Sequence, residues 1–371
     1  MPMPKVTGTI LELDLVALEH NYNYLRTKIH PTTKFLGVVK AFAYGSDSVL
    51  IAKKLETIGV DYLAVAYAKE GKVLREAGIK TPILVLHAQP YNYPMVIKYC
   101  LEPSLYSRRT LQEFMKTSRE EKQKAYPVHL KFNTGLNRLG FLGNDIDFIA
   151  EELAGREELN IKSIFSHLAA SEDQSEKEFS KNQIKSFEKI AKEFTSRLKY
   201  SPFMHLLNTS GIFNFPEAQF QMVRSGIGLY GFGNEARYDA MLRPVATLKT
   251  IISQIHHIKP NESVGYNRAF TSREERKTAT LPLGHADGIG RQYGNGKASV
   301  LVHGRVSPII GNVCMDMIMI DVTGIDCKEG DEVIVFGKEH SAENFAAGAS
   351  TISYELLSGI SQRVKRIVME A

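Results

Sequence analysis

Tryptophan is absent from the sequence and cysteine is rare. The 371 residues include no Trp and only three cysteines, Cys100, Cys314 and Cys327, which are odd in number and irregularly spaced. Such a set is neither a disulfide framework nor a zinc-ligand motif, and it is typical of a reducing compartment. No apolar run is long enough to span a membrane, and the first residues, MPMPKVTG, lack the apolar core of a signal peptide. We therefore expect a cytoplasmic protein with no metal site and no membrane attachment.

The sequence also lacks a strong imbalance of charge. Its formal net charge is +5, and the densest charge runs, 118–124 and 272–277, carry both signs. Because no basic patch is interleaved with aromatic residues, nucleic-acid binding is not predicted, whereas a mildly basic chain fits anionic small molecules. The length and the 43% hydrophobic content indicate a globular protein of two domains.

Short apolar runs alternate with amphipathic segments over the first two thirds of the chain. Eight buried strands that alternate with helices are typical of a (β/α)8 barrel of the TIM type. A doubly wound open sheet is the alternative, but no G-x-G-x-x-G motif follows the first strand. The predicted strands are 35–40, 62–66, 83–87, 101–105, 128–133, 161–167, 203–208 and 222–228.

The pattern changes after Arg243, where strand-like runs are separated by Gly, Pro and Asn clusters. This spacing predicts a mainly-β second domain with one helix near 354–360. The fold class is therefore α/β, with an N-terminal (β/α)8 barrel followed by a C-terminal mainly-β domain. The predicted domains are an N-terminal segment, 1–11, that packs with the C-terminal domain, the barrel, 12–243, and the mainly-β domain, 244–371.

The run VVKAFAYG, Val38–Gly45, ends an apolar strand on a lysine. An ammonium group is costly to bury unless it is paired or its pKa falls, and a lowered pKa makes a lysine useful as a Schiff-base former or a base. The plain alternative is that Lys40 extends from the strand end into solvent.

Other polar residues follow the remaining predicted strands, and the carboxyl ends of barrel strands are where active sites lie. The set comprises Lys131, Arg138, His167, Asn208, Thr209, Arg224, Gly226 and Gly228. Each residue alone is weak evidence. Together, a lysine, two arginines, a histidine and a glycine-rich turn after the last strand indicate an aldehyde-bearing, phosphate-anchored cofactor, which is pyridoxal phosphate.

Seven motifs in order show that nearly the whole chain resembles the alanine racemase family of fold-type III pyridoxal-phosphate enzymes. They are VVKAFAYG (38–45), KFNTGLNRLGF (131–141), SHLAASED (166–173), VRSGIGLYG (223–231), VGYNRAF (264–270), GHADG (284–288) and GNVCMDMIMIDV (311–322). The resemblance implies an isomerase that racemises L-alanine to D-alanine and back by a two-base mechanism, and so supplies D-alanine for peptidoglycan. It also implies a homodimer with active sites at the subunit interface.

The resemblance further implies the roles of the site residues. Lys40 binds pyridoxal 5′-phosphate and acts as one base, and Tyr266 of the mainly-β domain acts on the other face of the cofactor from the partner chain. Arg224 faces the pyridine nitrogen, where it disfavours ring protonation, and His167 packs against the ring and bonds Arg224. Arg138 bonds the cofactor and the substrate carboxylate, and Lys131 supports Arg138, with or without carbamylation.

The remaining implied residues contact the phosphate or the substrate. The phosphate ligands are Tyr44, Asn208, Thr209, Gly226, Ile227 and Tyr354. Met315 of the partner chain contacts the substrate carboxylate, and Asp316 beside it shapes the entrance.

The sequence departs from the family pattern at a few positions. Phe42 and Ser46 replace polar residues near the lysine, Asn133 stands for an aspartate, and Thr209 stands for a serine. His285 replaces the entrance tyrosine, which changes the size and charge of the corridor and leaves substrate breadth open.

Alternative functions remain beside alanine racemisation. A racemase of broader range, for serine or basic amino acids, differs in few pocket residues. A decarboxylase of the same fold type lacks the tyrosine and places an acid at the pyridine nitrogen, and a non-catalytic pyridoxal-phosphate carrier needs no second base. A cofactor-free barrel hydrolase requires paired carboxylates at the strand ends, and the sequence has lysine, arginine and histidine there.

Overall fold

The structure is a computed structural model that describes residues 7–198 and 200–369. These residues form two compact units. The barrel unit comprises Glu19–Ala43 and Ser48–Leu242, and the sheet unit comprises the described parts of Met1–Leu18, Tyr44–Asp47 and Arg243–Ala371. Residues 1–6 of the predicted segment 1–11 lie outside the described residues, as do the last two of the predicted domain 244–371, and those domain boundaries stay predictions.

The elements follow one another along the chain as alternating strands and helices first, and mostly strands afterwards. The strands are β1 (Ile10–Asp14), β2 (Lys34–Val38), β3 (Tyr62–Val65), β4 (Ile83–Val85), β5 (Glu102–Leu105), β6 (Tyr126–Lys131), β7 (Leu159–Phe165), β8 (Phe203–His205), β9 (Met222–Ser225), β10 (Ala246–Ile251), β11 (Gln254–Ile258), β12 (Ser263–Val264), β13 (Phe270–Thr271), β14 (Arg276–Leu281), β15 (Ser299–Val302), β16 (Arg305–Ile310), β17 (Ile318–Asp321), β18 (Glu332–Phe336) and β19 (Lys365–Met369). The α-helices are Leu15–Arg26, Ser48–Thr57, Ala68–Glu76, Tyr93–Lys98, Arg108–Glu120, Ile146–Leu153, Lys177–Leu198, Thr209–Asn214, Ala236–Asp239, Ala342–Ala347 and Ser353–Gly359.

Strands β2 to β9 close into a parallel barrel in sequence order, with β9 paired to β2. The strands are largely apolar because the helices between them cover the outside and the side chains of the barrel fill the inside. Every residue of β3, β4 and β9 is buried. The predicted α/β fold with an N-terminal (β/α)8 barrel is therefore confirmed.

Seven of the eight barrel strands end earlier than the sequence predicted, and β5 ends at Leu105 as predicted. β8 stops at His205 and β9 at Ser225, whereas the predicted runs extended to Asn208 and Gly228. The extra residues leave the ladder to begin the helix Thr209–Asn214 and the short turn Ile227–Tyr230. Apolar character continues past the last ladder hydrogen bond because these turns are themselves buried.

The sheet unit contains a nine-stranded sheet in the order β11-β14-β17-β16-β15-β18-β10-β1-β19 and a two-stranded ribbon of β12 and β13. The mainly-β character predicted for the C-terminal part is confirmed. The sequence did not predict β1, which pairs antiparallel with β10 and parallel with β19. Its last residue, Asp14, accepts hydrogen bonds from the Val16 and Ala17 N–H groups and so caps the start of the first helix.

No helix in the described part of the chain is long and apolar enough to cross a membrane.

Candidate active site

Lys40 follows β2 and begins a turn of left-handed backbone. Ala41, Phe42 and Ala43 have φ angles of 53°, 53° and 54°. Tyr44 continues the run with a φ of 54°. An L-residue in this region is disfavoured by about 1–2 kcal/mol, and such a run persists only when its surroundings hold it. This turn was not predicted from the sequence, because none of these residues is a glycine.

A carboxylate holds the turn. Glu70, in the helix after β3, accepts a hydrogen bond from the Ala41 N–H through one oxygen at 2.6 Å. Its other oxygen accepts from the Ala66 and Tyr67 N–H groups at 2.7 and 3.0 Å. Glu70 therefore ties the residue after Lys40 to the end of the neighbouring strand β3.

The Lys40 amine lies among other cations. Burial lowers its pKa, the charge of Arg138 lowers it further, and Glu70 opposes the shift. Lys131, the last residue of β6, is buried, and its pKa is lowered to about 8 by burial and then by the charges of Arg138, Arg224 and Lys40. The predicted lysines and arginines of the barrel unit are thus near enough to act on one another electrostatically.

Arg224 is the most constrained of these cations. It lies on β9 with 4% of its surface exposed. One guanidinium nitrogen donates to His205 Nδ1 at 2.7 Å, and the other donates to the Ser166 and Leu206 carbonyls and to His167 Nδ1 at 2.7, 3.0 and 3.1 Å. Burial lowers the pKa of Arg224 to about 9, so it remains a cation at neutral pH.

The two histidines that accept from Arg224 are neutral. Burial, followed by the charge of Arg224, lowers the pKa of both His167 and His205 well below the ordinary value. Since a guanidinium only donates, each imidazole presents an unprotonated Nδ1 to Arg224. The contact between His167 and Arg224 that the resemblance implied is present in the structure.

The turn after β9 packs against the helix after β8. Asn208 caps that helix by accepting from the Gly211 N–H at 2.9 Å. The Thr209 hydroxyl lies 3.0 Å from the Ser225 hydroxyl and accepts from the Gly228 N–H at 3.2 Å. A Cβ at Gly228 would lie 2.6 Å from the Thr209 methyl carbon, so only glycine permits this close approach.

Tyr44 and Tyr354 belong to the sheet unit and contact each other, with ring centroids 6.1 Å apart. Burial raises the pKa of Tyr44, as does the charge of Tyr354. The loop that begins at Tyr44 lies against the helix Ser353–Gly359, because a Cβ at Gly45 would fall 1.9 Å from the Leu357 carbonyl oxygen. The structure thus brings together the two tyrosines that the resemblance assigned to the phosphate.

Tyr266 stands on a short turn, Tyr266–Arg268, between β12 and β13. Its surface is 68% exposed, and the Asn312 side chain donates to its carbonyl at 3.1 Å. Met315 is 60% exposed, and its carbonyl accepts from the Ala286 N–H at 3.0 Å. These two predicted residues thus present exposed side chains on the sheet unit.

One arginine that the sequence did not single out joins the predicted entrance loops. Arg363 donates to both oxygens of Asp287 at 2.7 and 2.9 Å and to Asp316 at 2.7 Å. Asp287 in turn accepts from the Gly284 N–H at 2.8 Å. The loop that carries His285 and the loop that carries Asp316 are therefore joined through one guanidinium.

Comparison with known proteins identifies the family. A family model described as alanine racemase, N-terminal domain, matches residues 13–233, and one described as alanine racemase, C-terminal domain, matches residues 245–368. The chain belongs to the alanine racemase family. The family predicted from the seven motifs is confirmed.

Individual alanine racemases match over nearly the whole chain. The enzyme of Thermodesulfovibrio yellowstonii is 37% identical over 363 residues, which cover 96% of each chain. The structure of the Clostridium difficile 630 alanine racemase has a TM-score of 0.90 and 35% identity, and covers 98% of this chain and 96% of its own. The Bartonella henselae alanine racemase was solved with covalently bound pyridoxal phosphate. It has a TM-score of 0.89 and 29% identity, and the match covers 98% of this chain and 100% of its own.

Two residues of the barrel unit were missed by the sequence reasoning, although each carries a signal. Glu70 is an acidic residue in the first turn of a predicted helix, a position where a carboxylate accepts backbone N–H groups. His205 is a fully buried histidine within an apolar strand, and a buried imidazole requires polar partners. Among the described residues, no group of three His, Cys, Asp or Glu is placed to hold a metal ion.

Proposed function

We propose that this protein is a pyridoxal-phosphate-dependent isomerase that interconverts L- and D-alanine and so supplies D-alanine for peptidoglycan. The observation that carries the proposal is the pair Lys40 and Arg224. Lys40 follows strand β2, and Arg224 lies on the adjacent strand β9. One is a half-buried amine with a lowered pKa, and the other is a buried, donor-only cation fixed by four hydrogen bonds. Membership of the alanine racemase family supports the same activity.

The residues present fit pyridoxal phosphate. Lys40 is suited to hold the aldehyde carbon, because a lowered pKa makes its amine a nucleophile near neutral pH. Gly228 packs against Thr209 and so places the turn after β9, with Gly226 and Ile227, beside the helix that Asn208 caps. The backbone N–H groups of such a turn suit a phosphate. In the sheet unit, the buried Ser353 hydroxyl has no hydrogen-bond partner among the described residues, which fits a polar ligand beside Tyr354. We assign the phosphate to Tyr44, Asn208, Thr209, Gly226, Ile227 and Tyr354.

The cofactor, when bound, withdraws electrons from the α-carbon of the amino acid and so acidifies its α-proton. Racemisation then requires a base on each face of that carbon. We assign these proton transfers to Lys40 Nζ and to the Tyr266 hydroxyl oxygen. The lowered pKa of Lys40 suits an amine that must accept and return a proton near neutrality.

Arg224 would face the pyridine nitrogen of the cofactor. It can donate a hydrogen bond but, with four acceptors fixing its guanidinium, it does not deliver a proton as a carboxylic acid would. By leaving the ring nitrogen without a proton donor, Arg224 would limit the electron withdrawal that the cofactor supplies and so favour racemisation over transamination. This role also distinguishes the site from a decarboxylase with an acid at that position.

Arg138 would bind the substrate carboxylate, with Lys131 as its support. Lys131 has a pKa of about 8 and faces the charges of Arg138, Arg224 and Lys40. Those cations disfavour an ammonium and favour an anion, so carbamylation of Lys131 by carbon dioxide would turn three repulsive interactions into attractive ones.

We further propose that the protein is a homodimer in which Tyr266 and Met315 complete the site of the partner chain, next to the entrance formed around Asp316. Both side chains are largely exposed on the single chain, at 68% and 60%. Exposed aromatic and methionine side chains are typical of protein interfaces.

The activity is tested with the purified protein, pyridoxal phosphate and L-alanine in deuterated water. Loss of optical activity and deuterium at Cα are followed for the wild type, Lys40→Ala and Tyr266→Phe. We expect D-alanine and Cα deuterium from the wild type and strong loss in both variants, each mainly in one direction. Tyr91→Phe, at a tyrosine that is 79% exposed and has no proposed role, is the matched control. Cofactor binding without labelled alanine would contradict the substrate assignment, and L-serine and L-lysine would be tried next.

Mixing the two inactive variants tests the shared site. In a two-fold dimer, each heterodimer of Lys40→Ala with Tyr266→Phe contains one site with both substitutions and one intact site. Complete exchange at equal amounts therefore restores about a quarter of the wild-type activity. If both bases came from one chain, mixing would restore nothing.

A further inference from the structure

Five buried polar side chains form a continuous hydrogen-bonded chain through the barrel, and we call them the barrel relay. From Arg224 the distances are 2.7 Å to His205 Nδ1, 2.9 Å from His205 Nε2 to the Ser163 hydroxyl, and 2.6 Å from that hydroxyl to His129 Nδ1. His129 Nε2 lies 2.7 Å from a Glu102 carboxylate oxygen. The members come from β9, β8, β7, β6 and β5, so each neighbouring strand contributes one side chain.

Burial makes the relay energetically demanding. His129, Ser163 and His205 have no exposed surface, Arg224 has 4% and Glu102 has 8%. A buried donor or acceptor without a partner costs the protein the full free energy of desolvating that group. Each hydrogen in the relay must therefore be placed so that every neighbouring group keeps a partner, which couples the hydrogen positions to one another.

The two ends of the relay fix the direction of every hydrogen bond in it. Arg224 has only donors, so His205 Nδ1 accepts and the neutral His205 carries its proton on Nε2. That proton goes to the Ser163 oxygen, and the Ser163 hydrogen therefore goes to His129 Nδ1. His129 then carries its own proton on Nε2 and donates it to Glu102, which as a carboxylate only accepts. Reversal of one hydrogen bond would place two donors face to face at the Arg224 end or two acceptors face to face at the Glu102 end.

The surroundings of Glu102 supply hydrogen-bond donors and a cation. Tyr62 forms a hydrogen bond with Glu102, and burial, followed by the charge and hydrogen bond of Glu102, raises the pKa of that phenol, so Tyr62 stays protonated and donates. Arg75 and Tyr126 also interact with the charge of Glu102. The acceptor end thus receives hydrogen bonds from His129 and Tyr62 and faces a cation.

We propose that Glu102 is a positioning residue for Arg224 and acts through the relay. The proposal rests on the proposed function, in which Arg224 faces the cofactor ring. Glu102 holds His129 in the Nε2–H form, and this keeps the Ser163 hydrogen turned away from His205. His205 is thereby left as an acceptor at Nδ1, and Arg224 keeps one of its four partners.

The direct test is the tautomer of the relay histidines. The full-length protein is labelled with 15N-histidine, and the ring nitrogens are observed by NMR with cofactor bound and again after its removal. Spectra of His129→Gln and His205→Gln assign the signals. We expect both histidines to be protonated at Nε2 and unprotonated at Nδ1. A proton on Nδ1 of His205 would overturn the proposal.

Substitutions of Glu102 and Ser163 test the transmission. Glu102→Leu removes the acceptor, so His129 gains access to the Nδ1–H form, and we expect that form to appear in its spectrum. Glu102→Gln keeps an acceptor oxygen and should keep the wild-type tautomers. We expect Glu102→Leu to lower kcat/KM for alanine about tenfold and to increase side transamination, and Glu102→Gln to stay within about twofold of wild type.

A double substitution separates action through the relay from a general loss of packing. If Glu102 acts through Ser163, the double variant Glu102→Leu/Ser163→Ala should have the same kcat/KM and the same transaminated fraction as Ser163→Ala alone. If the two residues act independently, their separate reductions of kcat/KM should multiply in the double variant. Ser104→Ala is the matched control, because Ser104 is a fully buried serine on β5 whose hydroxyl has no partner among the described residues. Multiplying effects, or a Ser104→Ala effect as large as that of Glu102→Leu, would overturn the proposal.

Two further outcomes distinguish failure of the relay from failure of the proposed function. If Glu102→Leu does not fold, the wild-type tautomers and the Ser163→Ala variant still test the proposal. Ser163→Ala alone should lower kcat/KM for alanine by the same factor of about ten. If the tautomers are as expected but the wild type does not racemise alanine, the proposed function fails while the relay stands.

Discussion

Replacing Glu70 with glutamine tests whether one carboxylate holds the left-handed turn at Lys40. One oxygen of Glu70 accepts from the Ala41 N–H, and the other accepts from the Ala66 and Tyr67 N–H groups. A glutamine amide has a single acceptor oxygen, so at least one side of this bridge loses its hydrogen bonding.

The expected size of the effect follows from these contacts. A hydrogen bond to a charged group contributes about 1.5–3 kcal/mol, and three left-handed residues are disfavoured by about 3–6 kcal/mol together. Glu70→Gln should therefore lower the free energy of unfolding by about 2 kcal/mol without abolishing the fold. It also removes the charge that raises the pKa of Lys40, so that pKa should fall.

Two assays measure these effects. Urea unfolding gives the change in stability, and the pH dependence of the reaction of the cofactor-free protein with pyridoxal gives the pKa of Lys40, because only the neutral amine reacts. The midpoint of that profile should move to lower pH. Glu76→Gln, at the exposed end of the same helix, is the matched control and should leave the midpoint in place. A midpoint that is unchanged or higher in Glu70→Gln would refute the reasoning.

Three further predictions concern the site and its entrance. Lys131 has a pKa of about 8 in the folded protein against an ordinary 10.5, so the unfolded chain binds the Lys131 proton more tightly. From pH 8 to 10.5 the free energy of unfolding of the wild type should therefore rise relative to that of Lys131→Met, by up to about 3 kcal/mol. Urea titrations measure this, and a difference that does not change with pH would contradict it. Arg224→Glu should increase the fraction of turnovers that end in transamination, measured as pyruvate formed, and an unchanged product ratio would exclude the role given to Arg224. His285→Tyr, which restores the family's entrance residue, should lower kcat/KM for L-lysine about fivefold more than for alanine, whereas equal changes would show that His285 does not set substrate breadth.

The barrel was predictable because its pattern is local. Each strand is a short apolar run, each helix is amphipathic, and the alternation alone specifies the topology. The same logic placed Lys40, Lys131 and Arg224 at one end of the barrel, since parallel strands present their carboxyl ends together. A site made of strand ends can therefore be predicted before any distance is known.

The left-handed turn and the barrel relay could not be predicted in the same way. Ala41, Phe42 and Ala43 have no residue-level preference for positive φ, and they adopt it because Glu70, some thirty residues away, accepts the Ala41 N–H. The relay depends on the lateral register of strands, such as the pairing of His129 with Ser163, which the sequence does not specify. Both features arise from contacts between secondary-structure elements, so the sequence of any single element carries little indication of them.

The electrostatics of the barrel unit explain why such a site suits an anionic cofactor and substrate. The charge of Arg138 lowers the pKa of both Lys40 and Lys131, and the charges of Arg224 and Lys40 lower the pKa of Lys131 further. The repulsion keeps a fraction of each lysine neutral, as a nucleophile and base require, yet it also destabilises the folded protein. A bound phosphate or carboxylate would relieve that repulsion, so the ligands that the chemistry needs are also those that stabilise the site. Within the chain, the negative charge of Glu70 offsets part of this repulsion at the turn that carries Lys40.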